Sequence, residues 1–127
     1  MRVLVFGTFD RLHPGHRFLL TEAGKRGRLF VVIARDRNVE RIKGRLPDQS
    51  EAERKRIIED VFPDATAILG DSSDFLRPVR DIKPDLILLG YDQKLPPGVS
   101  ASDLLYPVER AGAFEPERHK SSLRRRD

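Results

Sequence analysis

The sequence contains no cysteine and no tryptophan, and its aromatic side chains are limited to seven phenylalanines and two tyrosines. Without cysteine there is no disulfide framework, no thiolate zinc site and no thiol nucleophile. Long hydrophobic runs are also missing. The longest, residues 29–34 (Leu-Phe-Val-Val-Ile-Ala), is far shorter than the roughly 20 apolar residues that span a bilayer. No apolar region with a small-residue cleavage site follows Met1, so no secretory signal is expected and the expected location is the cytoplasm. Neither a Walker A sequence nor a Gly-x-Gly-x-x-Gly fingerprint occurs, which removes the two commonest nucleotide-binding loops.

What is present fits one globular domain over residues 1–127. Apolar residues make up 39% and charged residues 35%, too apolar for a disordered chain and too charged for a membrane one. The formal charge is +4, and residues 118–127 hold five basic residues and one acid. The basic excess therefore lies in a C-terminal motif, and the rest of the chain is formally neutral. With no aromatics interleaved, this cluster points to one wall of a phosphate pocket or a solvated end, and nucleic acid is not an expected partner.

Four short apolar runs, at residues 3–6, 29–34, 65–69 and 85–89, read as strands buried on both faces, as in a parallel sheet. Helical patterns separate them. Residues 14–23 place Phe18, Leu19 and Ala23 on one face. Ser50 and Glu53 have capping-box spacing and open a helix ending before Pro63, and residues 75–82 form a shorter one. The alternation predicts an α/β fold, a Rossmann-like, doubly wound parallel sheet of about five strands. Residues 101–108 read as a short helix broken at Pro107, and Ala113-Phe114 as the start of the fifth, edge strand. Ligands of such sheets bind beyond the carboxyl ends of the strands.

The segment after the first strand is the most informative: Gly7-Thr8-Phe9-Asp10-Arg11-Leu12-His13-Pro14-Gly15-His16. Pro14 suits the first turn of a helix, whose N-terminal N–H groups and positive dipole end cradle phosphate. His13 and His16 lie three residues apart and share one side of the helix start, where two imidazoles can donate to an anion whose charge grows in a transition state. Gly15 between them lets a phosphate approach the backbone. Zinc is the competing use of the pair, but it needs three or four ligands, and the chain has only three histidines, His119 being remote. No metal-ligating residues are assigned.

Gly7-Thr8-Phe9-Asp10 followed by His13-Pro14-Gly15-His16 resembles the signature of the cytidylyltransferase-like nucleotidyltransferases. The similarity extends to residues 36–43 after the second strand, Arg54 at the second helix, Gly90-Tyr91-Asp92-Gln93 after the fourth strand, and Lys120-Ser121-Ser122 near the end. It implies attack by an acceptor phosphate on the α-phosphorus of a nucleoside triphosphate, with pyrophosphate leaving and no covalent enzyme intermediate. It further implies that His13 and His16, with Thr8, the backbone at Phe9, Pro14 and Gly15, hold the phosphates. Lys43, with Arg45, would meet the developing charge from a mobile loop, and Arg54 would orient phosphate by forked donation. Gly90 and Asp92 would contact base or ribose, His119, Lys120, Ser121 and Ser122 the triphosphate, and Asp10 and Tyr91 the acceptor. Mg²⁺ is expected on the triphosphate rather than on protein ligands. The Gly-Tyr-Asp-Gln quartet and the acidic stretch after Gly70-Asp71 most resemble archaeal-type FAD synthases, which transfer AMP from ATP to FMN. Glycerol-phosphate cytidylyltransferases usually carry Gly-Asp-Asp-Trp there and are the alternative; a nucleotide-binding module without turnover is the non-enzymatic one. The family is often dimeric, so a homodimer is the expected assembly, with no membrane partner.

Overall fold

Side chains alternate between two covered faces of the sheet, which is why each strand reads as an unbroken apolar run. The computed structural model describes residues 1–112. In chain order these form β1 (Arg2–Gly7), α1 (Pro14–Arg26), β2 (Arg28–Ile33), α2 (Asp36–Lys43), α3 (Glu51–Val61), β3 (Thr66–Leu69), α4 (Arg77–Ile82), β4 (Leu86–Leu89), a 3₁₀ turn (Ala101–Leu104) and β5 (Val108–Arg110). The five strands make one parallel sheet in the order β3-β2-β1-β4-β5. Val3, Val5 and Val31 face one way and pack with Leu20 and Ala23 of α1 and Ile58 of α3. Leu4, Phe6 and Val32 face the other way and pack with Val79 and Ile82 of α4 and Leu104 of the 3₁₀ turn. The chain winds from β1 outward to β3 and then returns to β4 on the far side of β1. A crevice therefore opens between the carboxyl ends of β1 and β4, where doubly wound sheets bind ligands.

The Rossmann-like parallel sheet anticipated from the sequence is present, with three local differences. The first is α2, which the pattern did not signal as a helix. Val39 is its only buried residue, and two apolar positions in eight are too few for a periodicity to stand out. The helix has Asp36 in its first turn, Arg41 and Lys43 in its last, and a left-handed Gly44 at its end, all favourable to the helix dipole. The second is the edge strand, which is Val108–Arg110 rather than a segment starting at Ala113-Phe114; those two residues lie outside the described ones. β5 pairs Ile87 with Val108 and Leu89 with Arg110. It is three residues long with two exposed, too short for a pattern. The 101–108 region accordingly divides into the 3₁₀ turn and this strand rather than forming one broken helix. Third, α4 starts at Arg77, later than expected, because carboxylates shape the preceding turns. Asp71 accepts from the N–H groups of Ser73 and Asp74, and Asp74 accepts from that of Leu76.

Among the described residues no helix is long and apolar enough to cross a membrane. Ser50 caps α3 by accepting from the Glu53 N–H at 3.2 Å. Leu20 is fully buried and fastens α1 to the sheet. Leu20→Ala should therefore lower the unfolding free energy by about 2–5 kcal/mol in urea titration, the range for emptying a leucine site in a packed core.

Candidate active site

A cleft of about 1470 Å³ lies over the carboxyl ends of the strands. A typical site for one drug-sized ligand is about 300–1,000 Å³, so this one has room for two molecules side by side. One wall is the loop from β1 to α1. Phe9 and Arg11 in this loop both have left-handed backbones, with φ of 54° and 52°. Such conformations persist in non-glycine residues only where the surroundings over-determine them. Here the Phe9 ring is buried against Gly7, where an added Cβ would lie 3.1 Å from the ring. Its edge also meets His16, with ring centroids 5.4 Å apart. From the other side, the Arg11 N–H donates to Gln49 Oε1 and the Arg11 guanidinium pairs with Asp48.

The loop delivers His13 to the N-cap of α1. His13 Nδ1 accepts from the N–H groups of Gly15 at 3.1 Å and His16 at 3.4 Å, and His16 Nδ1 accepts from the His13 N–H at 3.4 Å. The two rings stack 3.5 Å apart. With each Nδ1 acting as an acceptor, the hydrogen-bond pattern assigns a proton to Nε2 of each ring, leaving two N–H donors free of the helix cap. This changes the expectation that the backbone N–H groups themselves would meet phosphate, because those of Gly15 and His16 already serve His13. Gly15 also has a different role from the one expected. A Cβ there would lie 3.0 Å from His13 Cε1, so the glycine makes room for the His13 ring. Burial of the His16 ring, the adjacent His13 and the Lys43 charge push the His16 pKa down to about 4, against the pull of Asp10. At neutral pH His16 is an uncharged donor.

Lys43 closes α2 and borders the cleft together with Arg45, so its charge reaches the histidine pair from the opposite wall. Thr8, Gly90, Tyr91 and Asp92 also border the cleft, the last two exposed on its rim. The β1, α1 and β4 residues expected at the site are thus brought together with Lys43, while His119, Lys120, Ser121 and Ser122 lie outside the described residues.

One expected ligand contact is instead structural, and a second has a structural role as well. Arg54 is fully buried. Its guanidinium donates to the carbonyls of Gln49, Thr8 and Ala34 at 3.0, 2.8 and 2.9 Å and to Asp36 at 2.6 Å. It supports the loop from beneath and does not reach phosphate. The Asp10 carboxylate accepts from the N–H groups of Asp48 and Gln49. Burial works against its charge, but those two donors, aided by Arg54 and Arg11, outweigh burial and hold it below the ordinary carboxylate range. Asp10 ties the loop to the start of α3, and it also borders the cleft.

Two further residues matter. Gln93 accepts from the Gly90 N–H at 2.9 Å and donates to the Phe6 carbonyl at 2.7 Å, bridging the ends of β4 and β1. Arg110 donates to the carbonyls of Gly90 and Gln93, fixing the turn between them. Gln93 stood within the quartet already singled out, which was its signal. Arg110 is 17 residues further along the chain, with no pattern linking it to that turn. Among the described residues no group of three or more carboxylates or imidazoles gathers as metal ligands.

The depressed His16 pKa carries a sign. As pH falls from about 6.5 towards 4, the unfolded chain binds a proton at His16 that the folded chain refuses. Stability should fall across that window and the loss should level off below it. Urea midpoints of the wild type minus those of His16→Asn isolate this contribution, and the His16 ring protons should titrate near 4 by NMR.

Residues 4–115 match the family described as Cytidylyltransferase-like. The chain is 47% identical over 95 residues to the FAD synthase of Aciduliprofundum boonei, covering 74% of this chain and 63% of that protein. It is 42% identical over 119 residues to the FAD synthase of Methanosphaerula palustris, covering 89% of this chain and 76% of the relative. A crystal structure titled as the lipopolysaccharide core biosynthesis protein from Thermoplasma volcanium superposes with a TM-score of 0.80. It shares 36% identity, and the match covers 91% of this chain and 98% of that one. With the sheet order, the capped histidine pair and these likenesses in agreement, the chain belongs to the cytidylyltransferase-like family.

Proposed function

We propose that this protein is an FMN adenylyltransferase, an FAD synthase that transfers AMP from ATP to FMN and releases pyrophosphate. The observation that carries the reading is the pair of imidazoles whose Nε2–H donors are released by mutual capping at the head of α1. Similarity to proteins named FAD synthase supplies the choice of nucleotide and acceptor.

In this reading an FMN phosphate oxygen forms a bond to the α-phosphorus as the bond to the bridging oxygen of pyrophosphate breaks. The attacking phosphate is already ionised, so no general base is required, and catalysis rests on positioning and charge stabilisation. His13 and His16 donate to the α- and β-phosphate oxygens as negative charge moves to the leaving group. A neutral His16 suits this role, since Nδ1 must stay unprotonated to accept from the His13 N–H while Nε2–H donates to the phosphate. Lys43, with Arg45, approaches from α2, and Thr8 and the backbone at Phe9 hold the same phosphates from the β1 side. The turn at Gly90 and Asp92, braced by Gln93 and Arg110, receives the adenosine, and Tyr91 on the same turn meets the acceptor. His119, Lys120, Ser121 and Ser122 are proposed to complete the triphosphate site. Mg²⁺ bound to the triphosphate supplies charge neutralisation; the chain's own oxygen donors near the histidines are engaged by backbone, which suits a metal held by the nucleotide. The same reading places the enzyme in the cytoplasm as a homodimer acting on soluble substrates, with neither nucleic acid nor membrane as partner.

The test is a matrix of ATP or CTP against FMN or glycerol 3-phosphate, reading pyrophosphate together with the chromatographed product. Only ATP with FMN should give both pyrophosphate and FAD. Turnover of CTP with glycerol 3-phosphate would replace the substrates and keep the chemistry, and nucleotide binding without any turnover would make the chain a binding module. His16→Ala should lower kcat by about 10²–10³, the cost of one transition-state donor, with ATP affinity little changed.

A further inference from the structure

Few large apolar side chains are exposed among the described residues: Met1, Ile42, Leu46, Tyr91 and Leu105. Three of these five border the cleft, and two of them, Ile42 and Leu46, stand on the wall formed by α2 and the turn after it. Ile42 is 47% exposed and Leu46 56%. They flank Lys43, Gly44 and Arg45 in the chain, and both cations border the same cleft. Scattered single apolar residues on a surface need no explanation, but a concentration within one cavity marks a ligand surface.

In the reading above, the nucleoside triphosphate takes the part of the cleft between the histidine pair and the Gly90 turn. The α2 wall therefore faces the second substrate. Its chemistry asks for a ligand with an anionic end for Lys43 and Arg45 and an extended apolar face for Ile42 and Leu46. Asn38 lies one helical turn before Ile42 on the same wall. Its Nδ2 donates to the Asp71 carbonyl, and its Oδ1 is buried with no hydrogen-bond partner. An apolar patch beside two cations suits a ligand that carries both an extended apolar ring system and a phosphate. A small polyol phosphate would use the cations and leave the two aliphatic side chains in water.

We propose that Ile42 and Leu46 are the seat of the isoalloxazine ring and set acceptor specificity, with Lys43 and Arg45 facing the phosphate of the same molecule. This rests on the FMN reading above and adds to it the residues that distinguish a flavin phosphate from a smaller phosphate ester. The test uses the full chain and the double variant I42S/L46S, with I42L/L46M as the conservative counterpart. In the serine variant, the Kd for FMN read by flavin fluorescence quenching and the KM for FMN should both rise by about tenfold or more, as expected for two lost aliphatic contacts. The KM for ATP should stay within twofold, and the conservative variant should behave like the wild type. If the wild type makes FAD and the serine variant binds FMN within twofold of it, the seat lies elsewhere and the inference is wrong. If the wild type makes no FAD from ATP and FMN, the functional reading itself fails and this proposal falls with it.

Discussion

The site depends on one buried cation. A guanidinium removed from water is strongly unfavourable unless its donors are satisfied and its charge is matched. Arg54 meets both conditions with three carbonyls and the Asp36 carboxylate. Two of those carbonyls, at Thr8 and Ala34, belong to the segments leaving β1 and β2, so the arginine fixes the separation of the two strand ends that floor the cleft. Asp36 extends the connection: it accepts from the Glu51 N–H, while Glu51 accepts from the Asp36 N–H and pairs with Arg35. The starts of α2 and α3 are thereby locked to each other and to the β1 loop. The exposed ion pairs elsewhere, such as Lys25 with Glu22, each contribute little by comparison.

On this rigid base the histidine loop can hold an unfavourable shape. Two left-handed residues bend the chain so that His13 arrives as a helix cap and His16 stacks beneath it. The mutual capping serves structure and chemistry together. It satisfies donors at the head of α1 that would otherwise lack partners, and it orients both rings with Nε2–H outward. Keeping His16 neutral avoids two stacked positive charges in the absence of an anion.

The histidine pair, the parallel sheet and the placement of the site after β1 were legible because each is written in contiguous residues. Runs of Val, Leu and Ile are strands wherever both faces are covered, and Pro14 between two histidines marks a helix start by local geometry alone. Reading Arg54 as a ligand contact failed for a simple reason. A charged side chain beside a motif looks the same in sequence whether it faces a ligand or the underside of a loop. Helix α2 escaped notice because it buries a single residue, Val39.

Local pattern thus determined the fold class, the strand-loop-helix at the amino end and the chemistry of two imidazoles, since neighbouring residues suffice for each. Long-range hydrogen bonds decided the rest. Arg54 reaches Thr8 across 46 positions of chain, and Gln93 reaches Phe6 across 87. Such contacts exist only once the sheet has brought its strand ends together. Whether a carboxylate or guanidinium braces the site or faces the ligand is settled there, by which backbone groups happen to lie within hydrogen-bonding distance.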